Sequence, residues 1–170
     1  MKKILSIVSF VLLLSLCLTS CGLTVPRPEI KEGRFNYSVT YELNGEIKTI
    51  SGVYICEYDG ISWSLDGGNN RHWKGCIEGG TEDDQIQIGT TEDGGAINVC
   101  LDFDPDYFMG EDVVEYKGVP EPYLIVVYPM TEDGALTFIN DAETVAEQYG
   151  AKIISHVYDE PINNSFGLFK

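Results

Sequence analysis

The chain predicts an α+β fold that is mostly antiparallel β, a meander or sandwich with one short helix near the C-terminus. Three observations predict it. Arg34 to Leu43 alternates apolar and polar residues and runs into Asn44-Gly45, a strong two-residue hairpin signal. Tyr123 to Tyr128 is a short, continuous apolar run suited to a central strand. A helical stripe of apolar residues occurs late, after Asn140.

Taken in order, Met1 to Ser20 reads as a leader. Lys2 and Lys3 form a positive start, and Ile4 to Leu18 is almost wholly apolar but short for a membrane span. Leu18-Thr19-Ser20-Cys21-Gly22 resembles a bacterial lipobox. The resemblance implies cleavage before Cys21 and a diacylglycerol on its sulfur, with a membrane-anchored, extracytoplasmic location. Two acyl chains give stable anchoring, because each buried methylene contributes about 0.8 kcal/mol. Residues 21–33, with Pro26 and Pro28, read as a lipid-anchored tether, and residues 34–170 as the β-rich globular domain. Thirteen residues of extended tether reach at most about 45 Å.

In the first hairpin, a two-residue loop at Asn44-Gly45 sets Val39 against Ile50, Tyr37 against Gly52 and Phe35 against Tyr54. Asp59-Gly60 reads as a second such turn, pairing Tyr58 with Ile61, Cys56 with Trp63 and Tyr54 with Leu65. Together the registers predict one buried face carrying Phe35, Tyr37, Val39, Ile50, Tyr54, Cys56, Ile61, Trp63 and Leu65. The reverse face keeps Ile47, Val53 and Ile55, for which the late helix is a candidate cover. Gly67-Gly68-Asn69-Asn70 reads as a turn.

Short strands are expected at His72 to Ile77 and Gln85 to Gly89, and a longer one at Ala96 to Phe103, with Ile97, Val99, Leu101 and Phe103 on one side. Ala135 to Ile139 precedes the helix. There Asn140 is the expected cap with Glu143 at capping-box spacing, Ala142, Val145, Ala146 and Tyr149 form the stripe, and Gly150 ends it. Lys152 to Tyr158 reads as a last strand. Thr-Glu-Asp recurs at 81, 91 and 131 in turn-like settings.

Charge narrows the function. The chain has 11 basic and 27 acidic residues, a formal net charge of -16. Once Lys2 and Lys3 leave with the leader, 9 basic residues remain, a formal -18. Nucleic-acid binding and polybasic attachment to anionic lipid both require the opposite balance. Twelve acids lie between Glu78 and Glu115, without a lysine or arginine among them. Within that stretch Asp102, Asp104 and Asp106 alternate as at the start of a calcium loop, although Tyr107 stands where the loop needs glycine. The competing reading is a set of solvated loops that keep the domain soluble.

Cys56, Cys76 and Cys100 remain after Cys17 and Cys21 are set aside. They read as buried thiols, with one disulfide or a Cys₃His zinc site including His72 as alternatives. His72 and His156 stand in no nucleophile motif, and G-x-S-x-G and H-E-x-x-H are absent. Ten tyrosines and two tryptophans offer ligand-contact rings, and Trp73, after its polar loop, is the candidate exposed one. The folded part resembles small cell-envelope lipoproteins. The expected function is a non-catalytic binding or scaffolding module at the membrane, with a protein or an envelope glycan as partner. The alternative is a cell-envelope hydrolase using a glycosidase-like carboxylate pair.

Overall fold

Alternation makes the first hairpin. Strand β2 (Glu32–Leu43) buries Phe35, Tyr37, Val39, Tyr41 and Leu43, while the residues between them face outward. Asn44 and Gly45 have φ of 53° and 82°, as the tight loop requires, and the chain returns as β3 (Glu46–Ser64). Val39 lies opposite Ile50, Tyr37 opposite Gly52 and Phe35 opposite Tyr54, the expected register. The computed structural model describes residues 25–64, 68–80, 84–111, 120–129 and 137–167. The leader, Cys21, Leu65 and the acids Glu82, Asp83, Asp112 and Glu115 lie outside the described residues.

Asp59-Gly60 is a bulge and not a turn. β3 continues through it and pairs with β4 (Gly68–Ile77), so Tyr58 faces Trp73, Cys56 faces Gly75 and Tyr54 faces Ile77. A type I′ turn needs positive φ at both central residues, but here only Gly60 has it, at 101°. Asp59 is instead the extra residue of the longer strand, and its carboxylate pairs with Lys74 at 2.9 Å and His72 at 3.3 Å on β4. Gly68, Asn69 and Asn70, read as turn, are strand residues of β4.

The bulge keeps Ile61 and Trp63 on the face of Tyr58 and Trp73, because their partners are Arg71 and Asn69. The parity was right and the burial was not. Ile61 is 43% and Trp63 67% exposed, because β2 ends its pairing with β3 at Glu57 and the β3–β4 arm overhangs beyond it.

The second sheet holds β5 (Gln85–Thr90), β6 (Ala96–Cys100), β7 (Tyr123–Val127) and β8 (Phe138–Ile139), in that order. β6 leaves the ladder after Cys100, short of the expected Phe103, yet Ile97, Val99, Leu101 and Phe103 are all buried as predicted. The apolar run at β7 is an interior strand, as expected. The last long strand, β9 (Ala151–Tyr158), returns to pair with β2, completing the first sheet as β4-β3-β2-β9. All strand pairing is antiparallel. The molecule is thus mostly antiparallel β with few helices.

Two helices lie among the described residues, where one was expected. Asp104 caps α1 (Pro105–Phe108), which sets Phe108 and Met109 fully into the core. Asp141, one residue after the expected Asn140, caps α2 (Ala142–Tyr149) by accepting from the Thr144 amide at 2.8 Å, and left-handed Gly150 ends it. α2 packs on β7 and β9 and adds Val145 to the core, so it does not cover the reverse face of β3, where Ile47 is 68% exposed.

The inner faces of the two sheets share one core. Its centre is aromatic: Tyr54 meets Phe103 at 4.2 Å, Phe35 meets Phe108 at 4.7 Å, and Phe103 meets Tyr37 and Tyr158 at 5.3 Å each. Such edge and tilted pairs add roughly 0.5–1.5 kcal/mol each beyond area burial.

Part of the segment read as a tether is folded. Arg27–Pro28 form β1, paired with β10 (Phe166–Gly167). Glu29 N–H donates to the Ser165 carbonyl at 2.9 Å, and the buried Asn164 amide exchanges bonds of 3.0 and 2.9 Å with the Ile30 backbone. The first and last described segments are stitched together there.

Candidate functional site

At the end of β2 three turns converge. The Asn44 amide donates to the Gly150 carbonyl at 2.9 Å, which ties the first hairpin loop to the end of α2. The β5–β6 turn closes beside them through Thr91 N–H to Gly95 O at 2.8 Å. Between these elements lies a cleft of roughly 510 Å³, lined by Asn44, Thr91, Glu92, Asp93, Gln148 and Tyr149 among others. Its lining is chiefly amide, hydroxyl and carboxylate, with Ile97 and Tyr149 as the large hydrophobic and aromatic members.

Tyr149 also bonds its hydroxyl to that of Tyr128 at 2.8 Å, just past β7. That bond, partial burial and the nearby Asp93 carboxylate push the Tyr128 phenol up to about 12. Asp93 moves the other way. Its carboxyl lies below the usual carboxylate value because the Thr91 hydroxyl, its own backbone amide and Tyr128 stabilise the anion. Asp93 is thereby displaced toward its anion and Tyr128 toward its neutral phenol. General acid–base catalysis needs a group that titrates near working pH, and these two are displaced from it in opposite directions.

The sequence candidates are scattered. Asp104 Oδ1 accepts from the Asp106 amide at 3.1 Å as the cap of α1, while Asp102 is exposed with φ of 49°. Among the described residues no three His, Cys, Asp or Glu side chains converge as a metal site would require. The acid-rich stretch divides along β5: Asp84 precedes it, near Asp102 through Leu101 N–H to Asp84 O at 2.9 Å, whereas Glu92 and Asp93 follow it. Six strand residues, about 20 Å, separate the two groups. His72 and His156 occupy β4 and β9, the two edges of one sheet, and share no site.

Trp73 is buried, only 4% exposed, and is not the ligand-contact ring expected. Its Nε1 donates to Glu111 at 2.9 Å. Glu111 also grips Arg71 with both carboxylate oxygens, Arg71 donates to the Pro26 carbonyl at 3.0 Å, and its guanidinium lies 4.0 Å from the Phe166 ring centroid. The pair side chains are 16% and 14% exposed. No sequence signal links Arg71 to Glu111; they meet only because α1 turns the chain back over β4.

Cys56, Cys76 and Cys100 are all free thiols. Cys56 faces Gly75 across the strands, so neighbouring Cys76 points to the opposite face of the sheet and cannot bridge to it. Burial, helped by nearby Asp84, pushes the Cys56 thiol up to about 12.

No family model, curated protein or solved structure matches this chain. Among the described residues no helix is long and apolar enough to cross a membrane.

Proposed function

We propose that this chain is a lipid-anchored, extracytoplasmic binding module that takes a hydroxyl-rich envelope glycan in the cleft between Asn44, Asp93 and Tyr149. One observation carries the reading: Asn44, Thr91, Asp93 and Gln148 bring amide, hydroxyl and carboxylate groups to one cleft, the donors and acceptors that sugar hydroxyls take. Asp93 in the lining is displaced toward its anion, and Tyr128, which bonds Tyr149 from behind the lining, toward its neutral phenol, in keeping with hydrogen bonding and not proton transfer. The Tyr149 ring adds an apolar wall of the kind on which a sugar face packs. A two-sheet framework with one short helix near its C-terminal end fixes the three turns that form the cleft. The anchor rests on the lipobox at Leu18 to Cys21.

The test titrates a soluble N-acetylglucosamine oligosaccharide into isotope-labelled protein and follows amide shifts. Saturable shifts confined to residues 44, 90–93 and 148–150, abolished by Tyr149→Ala, are expected. Shifts elsewhere overturn the site, and release of shortened sugar overturns the non-catalytic reading in favour of a hydrolase. A sugar that leaves every amide unmoved overturns the glycan ligand.

A further inference from the structure

We infer that the overhanging β3–β4 arm, with Ile61 and Trp63 at its surface, is where this protein rests on the lipid bilayer. The inference depends on the anchor at Cys21 proposed above. Its first ground is the root of the chain. Pro26 is held by Arg71, Arg27 and Pro28 pair with β10, and Ile30 is clasped by Asn164. The free length is then only the five residues from Cys21 to Pro26, a reach of about 17 Å in place of 45 Å.

The second ground is what lies beside that root. Arg71 reaches Pro26 from the sheet face that its strand partner Ile61 shares, and Trp63 follows two residues, about 7 Å, further out on that face. Trp63 at 67% and Ile61 at 43% are exposed, and Ile30, at 42%, belongs to the root itself. An exposed tryptophan beside an acyl anchor suits the headgroup boundary, where its ring is half apolar and its N–H is wet.

The third ground is charge. Within Gly60 to Lys74 the one acid is Asp66, and the cations Arg71 and Lys74 pair with Glu111 and Asp59, so the stretch with its partners carries little net charge in a chain of net -16. The arm is thus less acidic than the chain as a whole, and repulsion from a lipid surface is weaker there. The cleft lies at the other end of β2, twelve residues or about 40 Å from the root, so this seating presents it away from the bilayer.

The test uses the full chain, expressed in a bacterial host, extracted from the membrane fraction and reconstituted in phosphatidylcholine vesicles. Mass spectrometry first reads Cys21. Tryptophan emission is then compared between ordinary vesicles and vesicles whose phosphatidylcholine is brominated near the headgroup. Buried Trp73 is the unquenched reference, because the chain has only 2 tryptophans. Emission is expected to fall by about half with brominated lipid and not to fall in Trp63→Phe. A lipidated Cys21 with equal emission in both vesicles overturns the seating alone. An unmodified Cys21 overturns the anchor and the seating with it.

Discussion

Trp73 and Glu111, 38 positions apart, are joined by a 2.9 Å hydrogen bond from the indole N–H to a carboxylate that also holds Arg71. This one carboxylate connects β4, the end of α1, the N-terminal root through Pro26 and the C-terminal strand through Phe166. A largely desolvated pair of this kind adds little compared with a well-packed apolar replacement, but breaking it leaves a charge stranded.

Glu111→Ala therefore lowers stability by about 2–4 kcal/mol, read as the urea midpoint shift at constant slope. Arg71→Met with Glu111→Leu together costs less than either loss alone, because no uncompensated charge is left. Equal or additive losses would show that the pair is not coupled.

Thiol counting checks the cysteines. With Cys17 and Cys21 removed from the count, denatured, unreduced protein releases three thiols to a disulfide reagent; a single one would mean a bridge. In the native state at pH 8 half-buried Cys76 reacts first, and Cys56 reacts slowest, because it is fully buried and its thiol is pushed up to about 12.

Asp141 predicts an acid limb. The Thr144 hydroxyl and amide hold its carboxyl below the ordinary 3.8, so the folded state binds its proton less readily than the unfolded state. Its contribution is complete above the unfolded value and is lost as pH falls through the lower folded one. Asp141→Asn keeps an oxygen that caps α2 but removes the titration. Melting temperatures taken from pH 7 down to pH 2.5 should fall less steeply for the variant than for the parent. Parallel curves would remove Asp141 from the acid response.

The first hairpin was legible because its two requirements, alternation and a loop with two positive φ values, are local and agree. Asp59-Gly60 has the same composition as a hairpin loop and a different outcome. Asp59 gains Lys74 and His72 by staying extended, and those partners are visible only once β4 is in place. The tryptophans reversed for a related reason. Alternation assigns a side chain to a face, but burial depends on whether another layer lies opposite that stretch. Tyr58 and the segment from α1 to Glu111 close over Trp73, whereas Trp63 is left 67% exposed.

The cleft was not legible either. Asn44 and Asp93 occur in two separate turns and Tyr149 at the end of α2, each read only as a turn or a helix end. Their meeting depends on β9 returning to pair with β2 and bringing Gly150 onto Asn44.

By itself, then, the sequence determined what is local: the alternation of β2 and its inward face, the apolar run of β7, the first register, the limits of α2 to within a residue, and the acidic balance. The tertiary structure alone decided which strands share a sheet, which apolar residues are covered and which polar groups converge. Those outcomes arise from contacts between segments far apart in the chain, whose energies no short window contains.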